Sequence, residues 1–197
     1  MEKTKMAKKE SSFLNMVFTL LFVTLIASTS LGYVYEITKG PKAKADLEKK
    51  LKAIKEVVPE FNNNPDTEKY EFDIDGGQVI FYPAKMNGKL VGTAVESFTS
   101  TGFSGDIHII IGLLPDGTIY DTTVIEHKET PGLGDKIDKR KSDFSLQFKG
   151  KNPQRFKLSI KKDGGNVDGI TAATYSSRAY CEAIQRAYDV YQKAGVK

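Results

Sequence analysis

The stretch HIIIGLLPDGTIYDTTVI, residues 108–125, gives the clearest indication of the fold. Two β-rich runs flank Pro115-Asp116-Gly117, a triplet typical of tight turns, so the stretch predicts a β-hairpin. Asn87-Gly88 predicts a second hairpin with a type I′ turn. The short connections imply antiparallel pairing. Further β-rich runs lie upstream: YEFDI (70–74), VIFY (79–82) and LVGTAVESF (90–98).

Two amphipathic helices are predicted, one before and one after these strands in the sequence. The first is assigned to the segment 41–60, follows a break at Gly40-Pro41, and is expected to end where Pro59 interrupts it. The second has its apolar stripe between Tyr175 and Lys193. We therefore expect an α+β fold, with a small domain at residues 66–197 whose mainly antiparallel sheet is flanked by helices.

An uncharged segment near the N-terminus is long enough to cross a membrane. No residue from Ser11 to Tyr35 is charged, and a helix over residues 12–35 would span a hydrocarbon core of about 30 Å. Lysines precede it in the basic segment 1–11, which predicts a cytoplasmic N-terminus under the positive-inside rule. The sequence therefore predicts a single-pass transmembrane helix, with all later residues on the extracytoplasmic side.

A cleaved signal peptide is the competing interpretation of this segment. The basic start fits it, and Ala27 and Ser28 are small enough for a processing site. Two features favour a retained anchor instead. The apolar stretch is longer than the core of about 7–15 residues usual for signal peptides, and Tyr33 and Tyr35 fit an interfacial aromatic belt.

Composition narrows the possible classes of function. The 197-residue chain has a formal net charge of +4 with lysines interspersed among acids, so no basic face for nucleic acid is expected. A single cysteine, Cys181, excludes an internal disulfide and is expected on a packed helix face. The two histidines, His108 and His127, lie far apart without carboxylates at ligand spacing, so no metal site is expected.

Small and hydroxyl-bearing residues cluster in VDGITAATYSS, residues 167–177, where the last predicted helix begins. A helix start presents unpaired N–H groups and the positive end of the helix dipole, which stabilise a phosphate. Thr174 could therefore carry a group through a phosphodiester. The same residues also suit plain helix capping by Asp168, Thr171 and Thr174. The residues alone leave both interpretations open, and composition favours capping.

The segment DGITAAT, residues 168–174, resembles the flavinylation motif of FMN-binding domains. Four positions match that motif: Asp168, Thr171, Ala173 and Thr174. The resemblance implies that a flavin transferase, using FAD and Mg²⁺, attaches FMN covalently through its phosphate to Thr174. One position departs from the pattern, because Ala172 stands where many relatives have glycine, and a Cβ there reduces the freedom of the backbone.

A second segment, HKETPGLGDKI at residues 127–137, resembles a loop of the G subunit of Rnf-type ion-translocating electron transport complexes. The related C subunit of the sodium-pumping NADH:quinone reductase has a similar loop. The resemblance implies that the loop lies against the isoalloxazine ring of the flavin. It suggests five cofactor-binding residues: Glu129, Thr130 and Leu133 of this loop, and Gly102 and Gly105 of TGFSGDI.

The similarity to the Rnf protein extends across nearly the whole chain, from the anchor to the acceptor motif, and the compact length favours it. It implies an electron-carrying subunit, without independent catalysis, in a complex that couples electron transfer between ferredoxin and NAD to export of Na⁺ or H⁺. The implied partners are other membrane subunits with iron–sulfur and flavin carriers, the flavin transferase, and the lipid of the bacterial cytoplasmic (inner) membrane.

Three alternatives stay open at this point. The chain could be the C subunit of the quinone reductase, a membrane-tethered binding or scaffold module without flavin, or a flavin-bearing reductase domain that works outside any pump. Flavin fluorescence that survives denaturation would exclude the module without flavin. Neighbouring genes for the other subunits would separate the stand-alone reductase from a subunit of a complex.

Overall fold

The computed structural model describes residues 12–195, so the basic segment predicted at 1–11 lies outside the described residues. The chain divides into two compact units, Met1–Leu47 and Glu48–Lys197. The described part of the first unit is helical, and the second contains one antiparallel sheet with a helix packed on each face. The expected α+β class is confirmed.

Helix α1 runs without interruption from Phe13 to Val57 and passes through Gly40-Pro41. The predicted break at that dipeptide is therefore wrong. An internal proline removes one backbone hydrogen bond, but these turns are exposed, and the following Lys42-Ala43-Lys44-Ala45 consists of strong helix formers that continue the helix. The predicted end before Pro59 is confirmed.

The N-terminal part of α1 is long and apolar enough to cross a membrane. Its large apolar side chains are exposed within the first unit, as Phe18 is at 65% and Leu31 at 72%. A contiguous exposed surface of this kind is rare on soluble monomers and fits contact with lipid or with another protein. A signal sequence near the N-terminus also meets this criterion of length and composition.

Five strands form one sheet in the order β1-β2-β3-β4-β5, and every neighbouring pair is antiparallel. Both predicted hairpins are present: Asn87 and Gly88 have φ angles of 52° and 78°, as a type I′ turn requires, and Pro115-Asp116-Gly117 joins β4 to β5. Asp75-Gly76 forms a third hairpin that the sequence analysis did not single out. The strands are β1 Tyr70–Ile74, β2 Gly77–Met86, β3 Lys89–Thr99, β4 Ile107–Leu113 and β5 Ile119–His127.

Each face of the sheet buries a separate apolar core. On one face the last turns of α1 pack through Ile54 and Val57, which are fully buried. Gly112 of β4 permits this contact, because a Cβ there would lie 1.5 Å from the carbonyl oxygen of Val57. The amphipathic end of α1 thus belongs to the same unit as the sheet, whereas the sequence analysis separated it from the domain at 66–197.

Helix α2, Thr174–Ala194, covers the other face of the sheet. The Tyr180 hydroxyl of α2 donates a hydrogen bond to the Thr122 hydroxyl of β5 at 2.8 Å. Cys181 is 3% exposed, which confirms its expected place on a packed helix face. Between β5 and α2 the chain forms turns and three short 3₁₀ helices: Gly134–Ile137, Phe144–Phe148 and Lys161–Asp163.

Candidate functional site

A depression of about 130 Å³ lies at the start of α2. Three segments line it: the loop between β3 and β4, the segment that follows β5, and the first turn of α2. Five predicted site residues lie in this lining: Glu129, Thr130, Leu133, Ala173 and Thr174. The remaining lining residues are Phe103, Gly134, Ala172, Tyr175 and Ser176. The fold therefore brings together the two segments that the resemblance singled out.

Four predicted residues lie outside the lining. Asp168 is exposed and pairs with Lys161, whose Nζ lies 2.7 Å from a carboxylate oxygen of Asp168. Thr171 is exposed in the turn before α2. Gly102 and Gly105 lie in the loop between β3 and β4, where a Cβ on Gly102 would come within 2.2 Å of the Gly105 carbonyl oxygen. These two glycines shape the lining through the backbone.

Thr174 is the first residue of α2 and is half-buried. The N-cap position before it belongs to Ala173, and no side chain makes a capping hydrogen bond there. The capping role considered for Asp168, Thr171 and Thr174 is therefore wrong. The N–H groups of the first turn and the positive end of the helix dipole remain available to another acceptor.

Ala172, the one departure from the motif, has a φ of 62°. This left-handed conformation costs a residue with a Cβ roughly 1–2 kcal/mol, whereas glycine adopts it freely. The preference of the motif for glycine thus has a backbone reason. Ala172 adopts the strained conformation directly beside the depression.

Glu129 joins the three lining segments and is 4% exposed. One carboxylate oxygen accepts a hydrogen bond from the Ser176 hydroxyl of α2 at 2.5 Å, and the other accepts one from the backbone N–H of Ser104 at 3.2 Å. Gly102 and Gly134 pack against this carboxylate, because a Cβ on either would lie within 2.8 Å of one of its oxygens. Ser176 was not among the predicted site residues, since its partner lies 47 residues away in the sequence.

Two aromatic side chains that the sequence analysis did not assign to the site flank the depression. Phe103 is 70% exposed and Tyr175 is 62% exposed, and their ring centroids lie 6.4 Å apart. Exposed rings of this kind are suited to contact a flat ring system. Their positions in the sequence could have indicated a place in the site, because Phe103 lies between Gly102 and Gly105 and Tyr175 directly follows the predicted acceptor.

A larger groove of about 560 Å³ lies along another side of α2 and is lined by none of the predicted site residues. Both arginines that line it are paired, Arg178 with Asp163 at 2.7 Å and Arg186 with Glu182 at 2.9 Å. Within residues 12–195, no group of three or more His, Cys, Asp or Glu side chains is placed to hold a metal ion. The depression beside Thr174 is therefore the candidate site.

Comparison with known proteins gives a family for most of the second unit. The family model of the FMN-binding domain matches residues 102–189, which include all three segments of the depression. This match covers the strands β4 and β5 and most of α2. The apolar part of α1 lies outside it.

Several curated relatives are named as the G subunit of the ion-translocating oxidoreductase complex. The relative from Aliivibrio fischeri is 31% identical over 194 residues, which cover 93% of this chain and 90% of the relative. Relatives from Vibrio atlanticus and Erwinia tasmaniensis are 45% identical over 111 residues and 44% identical over 108 residues. These two alignments span 54% and 53% of this chain and about half of each relative, 52% and 51%.

Proposed function

The chain belongs to the family of G subunits of ion-translocating oxidoreductase complexes, and from this membership we propose that it is a membrane-anchored FMN protein that carries electrons in such a complex. Bound FMN would supply the redox chemistry, because its ring accepts and donates electrons. The role of the protein is to hold the cofactor, surround its ring and keep the ring accessible to other electron carriers. No separate substrate pocket is needed for this role.

The proposed attachment point is the hydroxyl of Thr174, through a phosphoester to FMN. In the attachment reaction the Thr174 Oγ bonds to the FMN phosphorus of FAD, the pyrophosphate bond breaks, and AMP leaves while the hydroxyl proton is released. A flavin transferase that uses Mg²⁺ is the proposed catalyst. The threonine itself then acts as a tether and takes no part in electron transfer.

The observation that carries this proposal is the uncapped start of α2 beside the depression. Thr174 lines the depression and begins the helix, and no side chain caps it. A phosphate ester on this residue would bring negative charge to the free N–H groups and the positive end of the helix dipole. The small side chains of Ala172 and Ala173 leave space beside it. The residues present therefore fit an FMN phosphate.

The residues that would contact the flavin ring are those that line the depression. Leu133, Phe103 and Tyr175 supply exposed apolar surface, and Thr130 supplies a hydroxyl. The volume of about 130 Å³ is smaller than the roughly 300–1,000 Å³ of pockets that enclose small ligands. The flavin would therefore keep an exposed edge, which a carrier that exchanges electrons with other subunits needs.

Membership of the family also supports a place in a membrane. We infer that the apolar part of α1 anchors the chain in the bacterial cytoplasmic membrane, with the N-terminus inside and the flavin domain outside. The proposed partners are other membrane subunits with iron–sulfur and flavin carriers. Electrons would pass between ferredoxin and NAD, and the complex would export Na⁺ or H⁺.

Flavin fluorescence on a denaturing gel tests this proposal. The full chain, produced together with a flavin transferase, should give a fluorescent band under ultraviolet light, because a covalent flavin survives denaturation. Thr174→Ala should give a dark band, and Thr174→Ser, which keeps a hydroxyl, should stay fluorescent. A dark wild-type band would instead favour a binding module without flavin. Fluorescence in Thr174→Ala would move the acceptor to another residue.

A further inference from the structure

Glu129 is a buried carboxylate that lines the depression. It is 4% exposed, and its two oxygens accept one hydrogen bond each, from the Ser176 hydroxyl and the Ser104 N–H. Among residues 12–195, no lysine, arginine or histidine forms an ion pair with it. Burying an unpaired charge opposes folding. A glutamine could make both hydrogen bonds without that cost.

Backbone lies close to the Glu129 carboxylate, and the residue itself lines the depression. Gly102 and Gly134 bring the backbone against the carboxylate, where a Cβ would lie 2.8 Å and 2.4 Å from its oxygens. These contacts keep water from the protein side of the carboxylate, and Glu129 itself lines the depression. A charge in such a place is screened less than a charge in water, so its field acts more strongly on a nearby group.

We propose that Glu129 is ionised and that its negative charge lowers the reduction potential of the flavin held in this depression. The proposal rests on the FMN site proposed above. Reduction adds electron density to the flavin ring, and a fixed negative charge beside the ring opposes that addition. Glu129 also orders the site, because its two hydrogen bonds hold the start of α2 and the loop between β3 and β4 in place.

Glu129→Gln separates the charge of this residue from its hydrogen bonds. The glutamine oxygen can accept from the Ser104 N–H, and the glutamine NH₂ can donate to the Ser176 hydroxyl, which is able to accept. The variant therefore keeps the shape and contacts of the site and removes only the charge. Glu126→Gln is the matched control, because Glu126 is exposed at the end of β5 and does not line the depression.

The experiment measures the midpoint potential of the flavin by spectroelectrochemical titration of the full chain in detergent. The flavin carried by Glu129→Gln should show a more positive midpoint potential than the wild type, while Glu126→Gln should match the wild type. An unchanged potential in Glu129→Gln would overturn the proposal. An equal shift in both variants would also overturn it, because the effect would then be one of overall charge.

Two further outcomes keep this proposal distinct from the one on which it rests. If the wild type and Glu126→Gln carry flavin but Glu129→Gln carries none, the carboxylate is needed for folding or attachment and the role in setting the potential is refuted. If the wild type itself carries no flavin, the FMN site fails, and the inference about Glu129 fails with it.

Discussion

Ala172 has a backbone conformation that favours glycine, with a φ of 62°, two residues before the proposed acceptor Thr174. Ala172→Gly should raise the free energy of unfolding by about 0.5–1 kcal/mol. Glycine relieves a strain of roughly 1–2 kcal/mol, and the greater freedom of the unfolded chain offsets about 0.4–1 kcal/mol of that gain. Urea denaturation of the flavin-free protein measures the change.

Ala173→Gly is the control for this prediction, since Ala173 has a φ of −134° and carries no such strain. Glycine at this position adds freedom to the unfolded chain and removes a buried methyl group, so it should lower the free energy of unfolding by about 1–2 kcal/mol. If both variants change stability in the same direction, backbone strain at Ala172 is not the reason.

Cys181 is a packing residue rather than a reactive one. Burial raises the pKa of its thiol to about 12, so the thiol stays protonated at pH 8 and lacks the nucleophilic thiolate. We expect iodoacetamide to label Cys181 in urea but not in the folded protein. Cys181→Ala should cost roughly 1 kcal/mol of stability and leave the flavin content unchanged. Rapid labelling of the folded protein would contradict its buried position.

The site residues that were predicted from the sequence all lie in short contiguous segments that resemble the family's motifs. Thr174 belongs to a contiguous motif, and the resemblance singled it out together with Glu129. Ser176 was not predicted, because its role depends on a hydrogen bond across 47 residues that no local pattern records. Phe103 was also missed: its place between Gly102 and Gly105 was a local signal, but its exposure beside α2 is visible only in the folded chain.

At the scale of elements, the contact between β4 and the end of α1 requires a glycine, Gly112, at the point of closest approach. A Cβ on Gly112 would lie 1.5 Å from the Val57 carbonyl oxygen, which is backbone and cannot turn away. Gly112→Ala should therefore push α1 from the sheet and lower the free energy of unfolding by about 3 kcal/mol. The midpoint of urea denaturation measures the loss.

Gly169→Ala is the matched control for this contact, because the nearest atom to its added Cβ would lie 3.7 Å away, at an ordinary contact distance. Its effect on the free energy of unfolding should stay within about 0.5 kcal/mol. Comparable losses in the two variants would mean that close approach at Gly112 is not what limits the packing of α1.

Local chemistry explains which elements could be predicted. The hairpins at Asn87-Gly88 and Pro115-Asp116-Gly117 follow from turn residues whose backbone preferences act over a few positions. The break predicted at Gly40-Pro41 does not occur, because one lost hydrogen bond in an exposed helix is outweighed by the strong helix formers that follow Pro41. The joining of the end of α1 to the sheet depends on Gly112, which is distant in sequence and could not be predicted.

At the scale of the whole molecule, retention of the N-terminal apolar segment decides how the protein stays at the membrane. We expect the chain to remain in the membrane fraction after alkaline carbonate washing, because a helix of this length and composition can cross the bilayer. N-terminal sequencing of the protein from membranes should find a start ahead of Phe13. A mature start near Thr29 would show cleavage and contradict the anchor.

The central claim is that Thr174 carries FMN, and peptide mass spectrometry tests it most directly. Trypsin should release residues 163–178 as one peptide that contains Thr174. In protein matured with a flavin transferase, this peptide should gain the mass of FMN less one water, and fragmentation should assign the gain to Thr174. An unmodified peptide from protein matured in this way, or a gain assigned to Thr171 or Ser176, would contradict the account.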